Sequence, residues 1–373
     1  MGLYAELGVR PVINACATLT RLGGSLMPPE VLEAMAEAAR HFVDLQELQR
    51  RVGEEIAALT RNEAAYVSSG AAAGLTLATA ACIAGTDLAA IRQLPDLTGL
   101  KDEVIIHRAH RNGYDHAVRQ VGVKVVEIGS DAGTEREELE RAFSEQTAAV
   151  FWFQGAMTGK SDLPLPVVIE MAKARGVPVV VDAAAQLPPV ENLWRFTQMG
   201  ADLAVFSGGK DLRGPQSSGL ILGRRDLIAA CAINGNPNHS IGRPMKVGKE
   251  EMVGLLAAVR RYVNLDHAAR AQNCEQIVAD WNAALNRLPG VSACRDFPNE
   301  AGQPLPRSLV TIHADAAGVN RETVMKRLES GDPAIMVSAG GADSLLLNPM
   351  TLEPGEEKIV LERLIEALTN PGE

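Results

Sequence analysis

A chain of 373 residues, 46% of them apolar, is long enough to bury one large core and a second, smaller one. Its formal net charge of −10 speaks against a dedicated polyanion binder, so no nucleic-acid partner is expected. The five cysteines (Cys16, Cys82, Cys231, Cys274, Cys294) are scattered, with no Cys-x-x-Cys pair, which points to reduced thiols in a cytoplasmic protein and offers no zinc site. The opening MGLYAELGVRPVINA has neither a basic leader before an apolar run nor a bilayer-length stretch, so no secretory or membrane protein is expected.

Residues 1 to 28 carry the breakers Pro11, Gly23, Gly24 and Pro28 and read as an extended arm. Arg21, beside two glycines, can reach a substrate carboxylate or phosphate, or stay solvated. Helices are expected from Pro29 and again through Leu45, Leu48, Val52, Ile56 and Leu59, which share one face. A short strand, Ala64 to Val67, then runs into the small-residue turn SSGAAAG and an apolar helix to Ile83. Free N–H groups and the positive end of a helix dipole meet there, so Ser69, Gly70 and Ala71 read as an anion cradle, with close helix packing as the alternative.

The strand Glu103 to Ile106 leads into a loop holding three of the seven histidines, His107, His110 and His116. His110 is the first choice for a flat side chain that covers a ligand ring and Tyr114 the second, with His107 and His116 structural. Val123 to Ile128 is another strand, Thr134 to Glu137 has the form of a capping box, and the strand Ala148 to Phe153 ends at Gln154, suited to a cofactor or substrate oxygen.

Two β-branched runs follow, Val177 to Val181 and Ala201 to Phe206, separated by room for one helix over Glu191 to Met199. Strands so connected lie parallel, with their carboxyl ends on one side of a sheet, where ligands of such sheets bind. Each delivers one charged residue to that edge, Asp182 and Lys210. An acid and an amine in one crevice suit pyridoxal 5'-phosphate: the amine forms a Schiff base with the aldehyde, and the carboxylate keeps the pyridine nitrogen protonated. Gly208 and Gly209 are expected to leave room for the cofactor and Ser207 to reach a phosphate oxygen, which makes Ser69 to Ala71 the main phosphate site. Ser207 to Lys210 also spells Ser-x-x-Lys, a serine acyl-enzyme motif, but its Ser-Asp-Asn and Lys-Thr-Gly companions are absent.

Gly219 to Gly223 completes seven strands, a large doubly wound, mainly parallel α/β domain. The Gly/Pro-rich loop 231 to 250 carries Arg243, Lys246 and Lys249, either an ordinary solvated loop or one that closes over an anionic group in a neighbouring subunit's site. Beyond it a helix through Ile277, Trp281 and Leu285 precedes alternating short strands and helices, a small α+β domain. The expected division is an N-terminal arm and helix (1–44), a large cofactor domain (45–262) and a small C-terminal domain (263–373).

The segments GVRPVINA, SSGAAAGL, GVKVVEIG, GADLAVFSGGKDLRGPQSSGLILGRRDLI and GRPMKVGKEE resemble the fold-type I pyridoxal phosphate enzymes. They are most similar to the selenocysteine synthase-like group of seryl-tRNA selenium transferase and D-glucosaminate-6-phosphate ammonia-lyase. The resemblance implies that Lys210 is the Schiff-base lysine, Asp182 the pyridine partner, and Ser69 to Ala71 with Ser207 the phosphate site. It also implies active sites between subunits, hence a homodimer or higher homo-oligomer. The selenium transferases carry an extra N-terminal tRNA domain, whereas this sequence starts almost at GVRPVINA, so a small-molecule amino acid substrate is expected. The small-domain arginine common among fold-type I enzymes has no counterpart in PAIMVSAGGADS, so substrate carboxylate recognition either falls to a residue elsewhere, such as Arg21 or Arg213, or is absent.

The expected activity is removal of ammonia and water from a hydroxylated, sugar-derived 2-amino acid, through a Lys210 aldimine and a Cα carbanion. Racemase, aldolase, aminotransferase and β-replacement chemistry share that carbanion. A selenium transferase acting on seryl-tRNA and a catalytically idle cofactor-binding protein are the remaining alternatives.

Overall fold

The computed structural model describes residues 2–130, 132–155 and 162–370. The chain forms two compact units, Met27–Leu265 and the discontinuous pair Met1–Leu26 with Asp266–Glu373. The N-terminal arm and the Pro29–Ala38 helix, grouped together from the sequence, therefore fall in different units.

The strands in chain order are β1 (Val12–Asn14), β2 (Ala64–Ser68), β3 (Glu103–His107), β4 (Lys124–Ile128), β5 (Thr147–Phe153), β6 (Val179–Asp182), β7 (Leu203–Ser207) and β8 (Gly219–Gly223), followed by β9 (Val291–Asp296), β10 (Arg307–Ile312), β11 (Ala334–Met336), β12 (Ser338–Ala339) and β13 (Ser344–Leu347). Seven of them make the sheet of the Met27–Leu265 unit, in the order β2-β8-β7-β6-β5-β3-β4. Only β8 runs against its neighbours.

Alternate residues of these strands feed two separate cores, as a period of two requires. On one face lie Ile105, Val150, Trp152, Val179, Val181, Ala204 and Phe206. On the other lie Val104, Ile106, Phe151, Phe153, Val180, Val205 and Ile221. Both faces are covered, which is why the runs are apolar throughout rather than alternating; all seven residues of β5 are buried. Burying each such side chain stabilises the fold by about 1.5–3 kcal/mol.

Helices cover the sheet where the periodicity places them. Leu45–Leu59 starts at Asp44, whose Oδ1 accepts from the N–H groups of Gln46 and Glu47 at 2.9 and 3.0 Å, and it buries Val52, Gly53, Ile56 and Ala57. A Cβ on Gly53 would lie 2.4 Å from the Ala65 carbonyl oxygen, so this helix sits directly on β2. Gly70–Ala84 is apolar all round and buries ten of its fifteen residues. The capping box falls one residue later than expected: Glu138 reaches back to the Glu135 N–H at 2.8 Å, and the helix is Arg136–Ala142. Thr134 instead donates to Asp162. A further helix, Leu88–Gln93, capped by Asp87, was not anticipated.

In the other unit β12-β13-β10-β9 form an antiparallel sheet, with Trp281, Leu285, Val310, Leu345 and Leu364 in its core. The expected extended arm is partly ordered by pairing: β1 runs parallel to β11, joining Val12 to Ala334, Ile13 to Ile335 and Asn14 to Met336. Among the described residues no helix is long and apolar enough to cross a membrane.

Candidate active site

Strands β6 and β7 are hydrogen-bonded parallel neighbours with Asp182 opposite Val205, so Asp182 and the segment after Ser207 emerge at one edge. Asp182 is 8% exposed. Its Oδ1 accepts from the Ala184 N–H at 2.9 Å, and its carbonyl accepts from the Gln154 N–H at 2.9 Å, which joins the ends of β5 and β6. Burial raises the Asp182 pKa, while the Ala184 N–H and the Lys210 ammonium pull it back. Burial likewise lowers that of Lys210, and Asp182 opposes the change. The two sequence-expected charges, a buried Asp182 and a half-buried Lys210, thus form a mutually compensating couple.

The segment bearing Lys210 folds on itself. Gly208 N–H donates to the Ser218 carbonyl at 2.8 Å, Gly214 N–H to the Gly208 carbonyl at 2.9 Å, and Arg213 N–H to the Lys210 carbonyl at 3.0 Å. Glycine is required here for the loop itself, in addition to any room it leaves for a ligand. A Cβ on Gly208 would meet Ser218 Oγ at 2.0 Å, and one on Gly209 would meet Gln216 Cα at 2.4 Å. Arg213 adopts a left-handed backbone, φ 57°.

The anion cradle stands at the same edge. Ser68 is paired with Gly219, and Gly219 with Ser207, so the ends of β2 and β7 and the start of β8 form one row. Directly after Ser68, Gly70 takes φ 86° and opens the fifteen-residue helix, whose N-cap, Ser69, makes no side-chain capping bond. The first turn of this helix, which lacks a side-chain cap, thus starts beside the row that Ser207 closes.

His107 and His110 lie at the end of β3 and in the single turn Arg108–His110. His110, expected to cover a ligand ring, has no exposed surface: its ring centroid is 4.7 Å from that of His107 and 4.6 Å from that of Trp152, and its Nε2 is 3.3 Å from Asp162 Oδ2. Trp152 Nε1 donates to Gln154 Oε1 at 2.8 Å, so the Gln154 carbonyl oxygen is already engaged. His107 is driven down to about 4, first by burial and then by His110, with Asp162 opposing; burial also lowers His110, against Asp162. Among the described residues neither ring nitrogen of His107 has a hydrogen-bond partner. Tyr114 is 70% exposed. This His107–His110–Trp152–Asp162 cluster was not foreseen as a unit. Three histidines in one loop hinted at it, but nothing near them in sequence points to Trp152 or Asp162.

The basic loop is less concentrated than its sequence suggests. Lys249 pairs with Glu250, the Arg243 carbonyl accepts from Asn236 Nδ2 at 3.1 Å, and Lys246 is exposed. Arg21 lies in the other unit, on the turn Thr20–Leu22. Among the described residues no group of three or more His, Cys, Asp or Glu could hold a metal.

The family described as L-seryl-tRNA selenium transferase (SelA) matches residues 12–287. The chain is 35% identical to 5'-C-glycyluridine monooxygenase-decarboxylase of Streptomyces sp, over 99% of this chain and 92% of that protein. It is 34% identical to D-glucosaminate-6-phosphate ammonia lyase of Salmonella typhimurium, over 98% and 97%. A solved structure of D-glucosaminate-6-phosphate ammonia-lyase, also 34% identical, superposes with a TM-score of 0.87 over 99% of this chain and 98% of its own. The seven-stranded α/β sheet, the Asp182–Lys210 couple and these similarities converge, and the chain belongs to the L-seryl-tRNA selenium transferase family of fold-type I, pyridoxal phosphate-dependent enzymes.

Proposed function

We propose that this enzyme is a carbon–nitrogen lyase that removes ammonia and water from a hydroxylated, sugar-derived 2-amino acid. The observation that carries the reading is the Asp182–Lys210 couple in a chain that matches D-glucosaminate-6-phosphate ammonia lyase along nearly its whole length.

The residues fit the cofactor. Asp182 is a buried carboxyl that needs a cationic partner, which a protonated pyridine nitrogen is. The row of Ser69, Gly70, Ala71 and Ser207 offers uncapped N–H groups and a hydroxyl to a phosphate. Pyridoxal phosphate bound there supplies an electron sink for negative charge at the substrate Cα.

Lys210 supplies the base. Desolvation lowers the Lys210 pKa against the opposing pull of Asp182, which favours the amine form that takes the Cα proton. Asp182 stands at the buried end of β6, where the Ala184 N–H and Lys210 favour its carboxylate form against burial. The β-hydroxyl then leaves as water, and one water is taken up as the nitrogen leaves as ammonia, so each turnover yields one ammonia and one 2-oxo acid. We assign the substrate's anionic groups to Arg213 and Gln154, and to Arg243, Lys246 and Lys249 of a neighbouring subunit in a homodimer. All five cysteines are free thiols, in keeping with a cytoplasmic enzyme.

A second reading, oxidative decarboxylation, draws on the comparable identity to the monooxygenase-decarboxylase. One assay separates them. The cofactor-loaded enzyme is offered D-glucosaminate 6-phosphate and a panel of D- and L-hydroxy amino acids, with ammonia, 2-oxo acid, carbon dioxide and oxygen uptake followed together. Equimolar ammonia and 2-oxo acid without oxygen uptake supports the lyase, and carbon dioxide release with oxygen uptake refutes it.

A further inference from the structure

The residue after Lys210 is buried. Asp211 is 2% exposed, and its Oδ2 accepts a 2.6 Å hydrogen bond from the phenol of Tyr262, itself fully buried at the end of the Lys249–Tyr262 helix. The same helix face meets the Lys210 segment twice more. Cβ atoms built on Gly208 and Gly214 would lie 2.8 and 3.3 Å from Leu255 Cδ1, and that on Gly214 would lie 3.2 Å from Ala258 Cβ. Leu255, Ala258 and Tyr262 are spaced by three and four, one stripe of a helix. Two of the contacts are dispersive and tolerate sliding; the phenol–carboxylate bond is directional and fixes the register.

We propose that Asp211 and Tyr262 are positioning residues: their buried hydrogen bond locks the segment bearing Lys210 onto the Lys249–Tyr262 helix and so aims the Lys210 amine at the reacting carbon. The inference rests on the assignment of Lys210 above. It makes the clamp geometric rather than electrostatic, because asparagine at 211 keeps an acceptor for the phenol while discarding the charge. A displacement of about 1 Å at a reacting amine costs about 100-fold in rate.

The test compares wild type, Tyr262→Phe, Asp211→Ala and Asp211→Asn, all prepared without cofactor. Three readouts are taken: Tm before loading, the rate at which added pyridoxal phosphate develops its visible band, and kcat and KM on the best substrate found. Tyr262→Phe and Asp211→Ala should load about 10- to 100-fold more slowly and lose kcat rather than KM. Asp211→Asn should load and turn over within about threefold of wild type, with an unmoved pH profile. Wild-type loading by Tyr262→Phe overturns the clamp, even if its Tm falls. So does Asp211→Asn behaving like Asp211→Ala, which would make the charge the operative feature. A wild-type protein that forms no band at all overturns the site reading itself, and the clamp with it.

Discussion

Asp182 and Lys210 leave neighbouring parallel strands at one sheet edge, and each holds the other toward the ionised form that burial disfavours. Each therefore offsets part of the desolvation of the other. The couple explains why the sequence can afford an acid and an amine within an otherwise apolar sheet, and why both are central to function.

Replacing Asp182 by Asn keeps the size and removes the charge. Because Asp182 raises the pKa of Lys210, its loss should move the Lys210 ionisation to lower pH. Turnover should fall by about 100-fold or more while cofactor binding persists. A pH–rate profile with cofactor titration checks both; wild-type turnover would refute the role of Asp182.

Gly219→Ala tests the cofactor cradle. The new Cβ would lie 2.3 Å from Gly70 C and 2.7 Å from Ala71 N, both backbone atoms of the turn. Relieving that overlap costs about 1–3 kcal/mol, and the displaced turn should bind pyridoxal phosphate about tenfold or more weakly. Gly113→Ala, which meets nothing within 4 Å, serves as the control. Equal affinities in the two variants would show that the turn is not part of the cofactor site.

Much of this was legible because the strands of a covered parallel sheet are short β-branched runs, each ending where its charge must emerge. Asp182, Lys210 and the Ser69 turn followed from that pattern. What the pattern cannot show is pairing across long separations. The three-residue β1 finds β11 more than 300 residues later, Thr134 turns to Asp162 instead of opening a helix, and Asp211 meets Tyr262 across 51 residues. The second role of Gly208 and Gly209 was hidden for the same reason, since their neighbours Ser218 and Gln216 come from the far side of the loop.

His107 gives a pH signature. In the unfolded chain it binds a proton below its ordinary 6.5, but in the folded protein only near 4. Between those values the unfolded state holds more protons, so stability rises with pH across the window and is lost as pH falls through it. His107→Phe cannot titrate, and its Tm should fall less than that of wild type between pH 6.5 and 4. Parallel Tm curves would contradict the assignment.

The most direct test of the whole account is to load the enzyme with pyridoxal phosphate, reduce it with borohydride and locate the label by peptide mass spectrometry. One cofactor per chain, on the peptide containing Lys210 and absent from Lys210→Ala, is the expected result. A label on another lysine, or none in the wild-type protein, would contradict it.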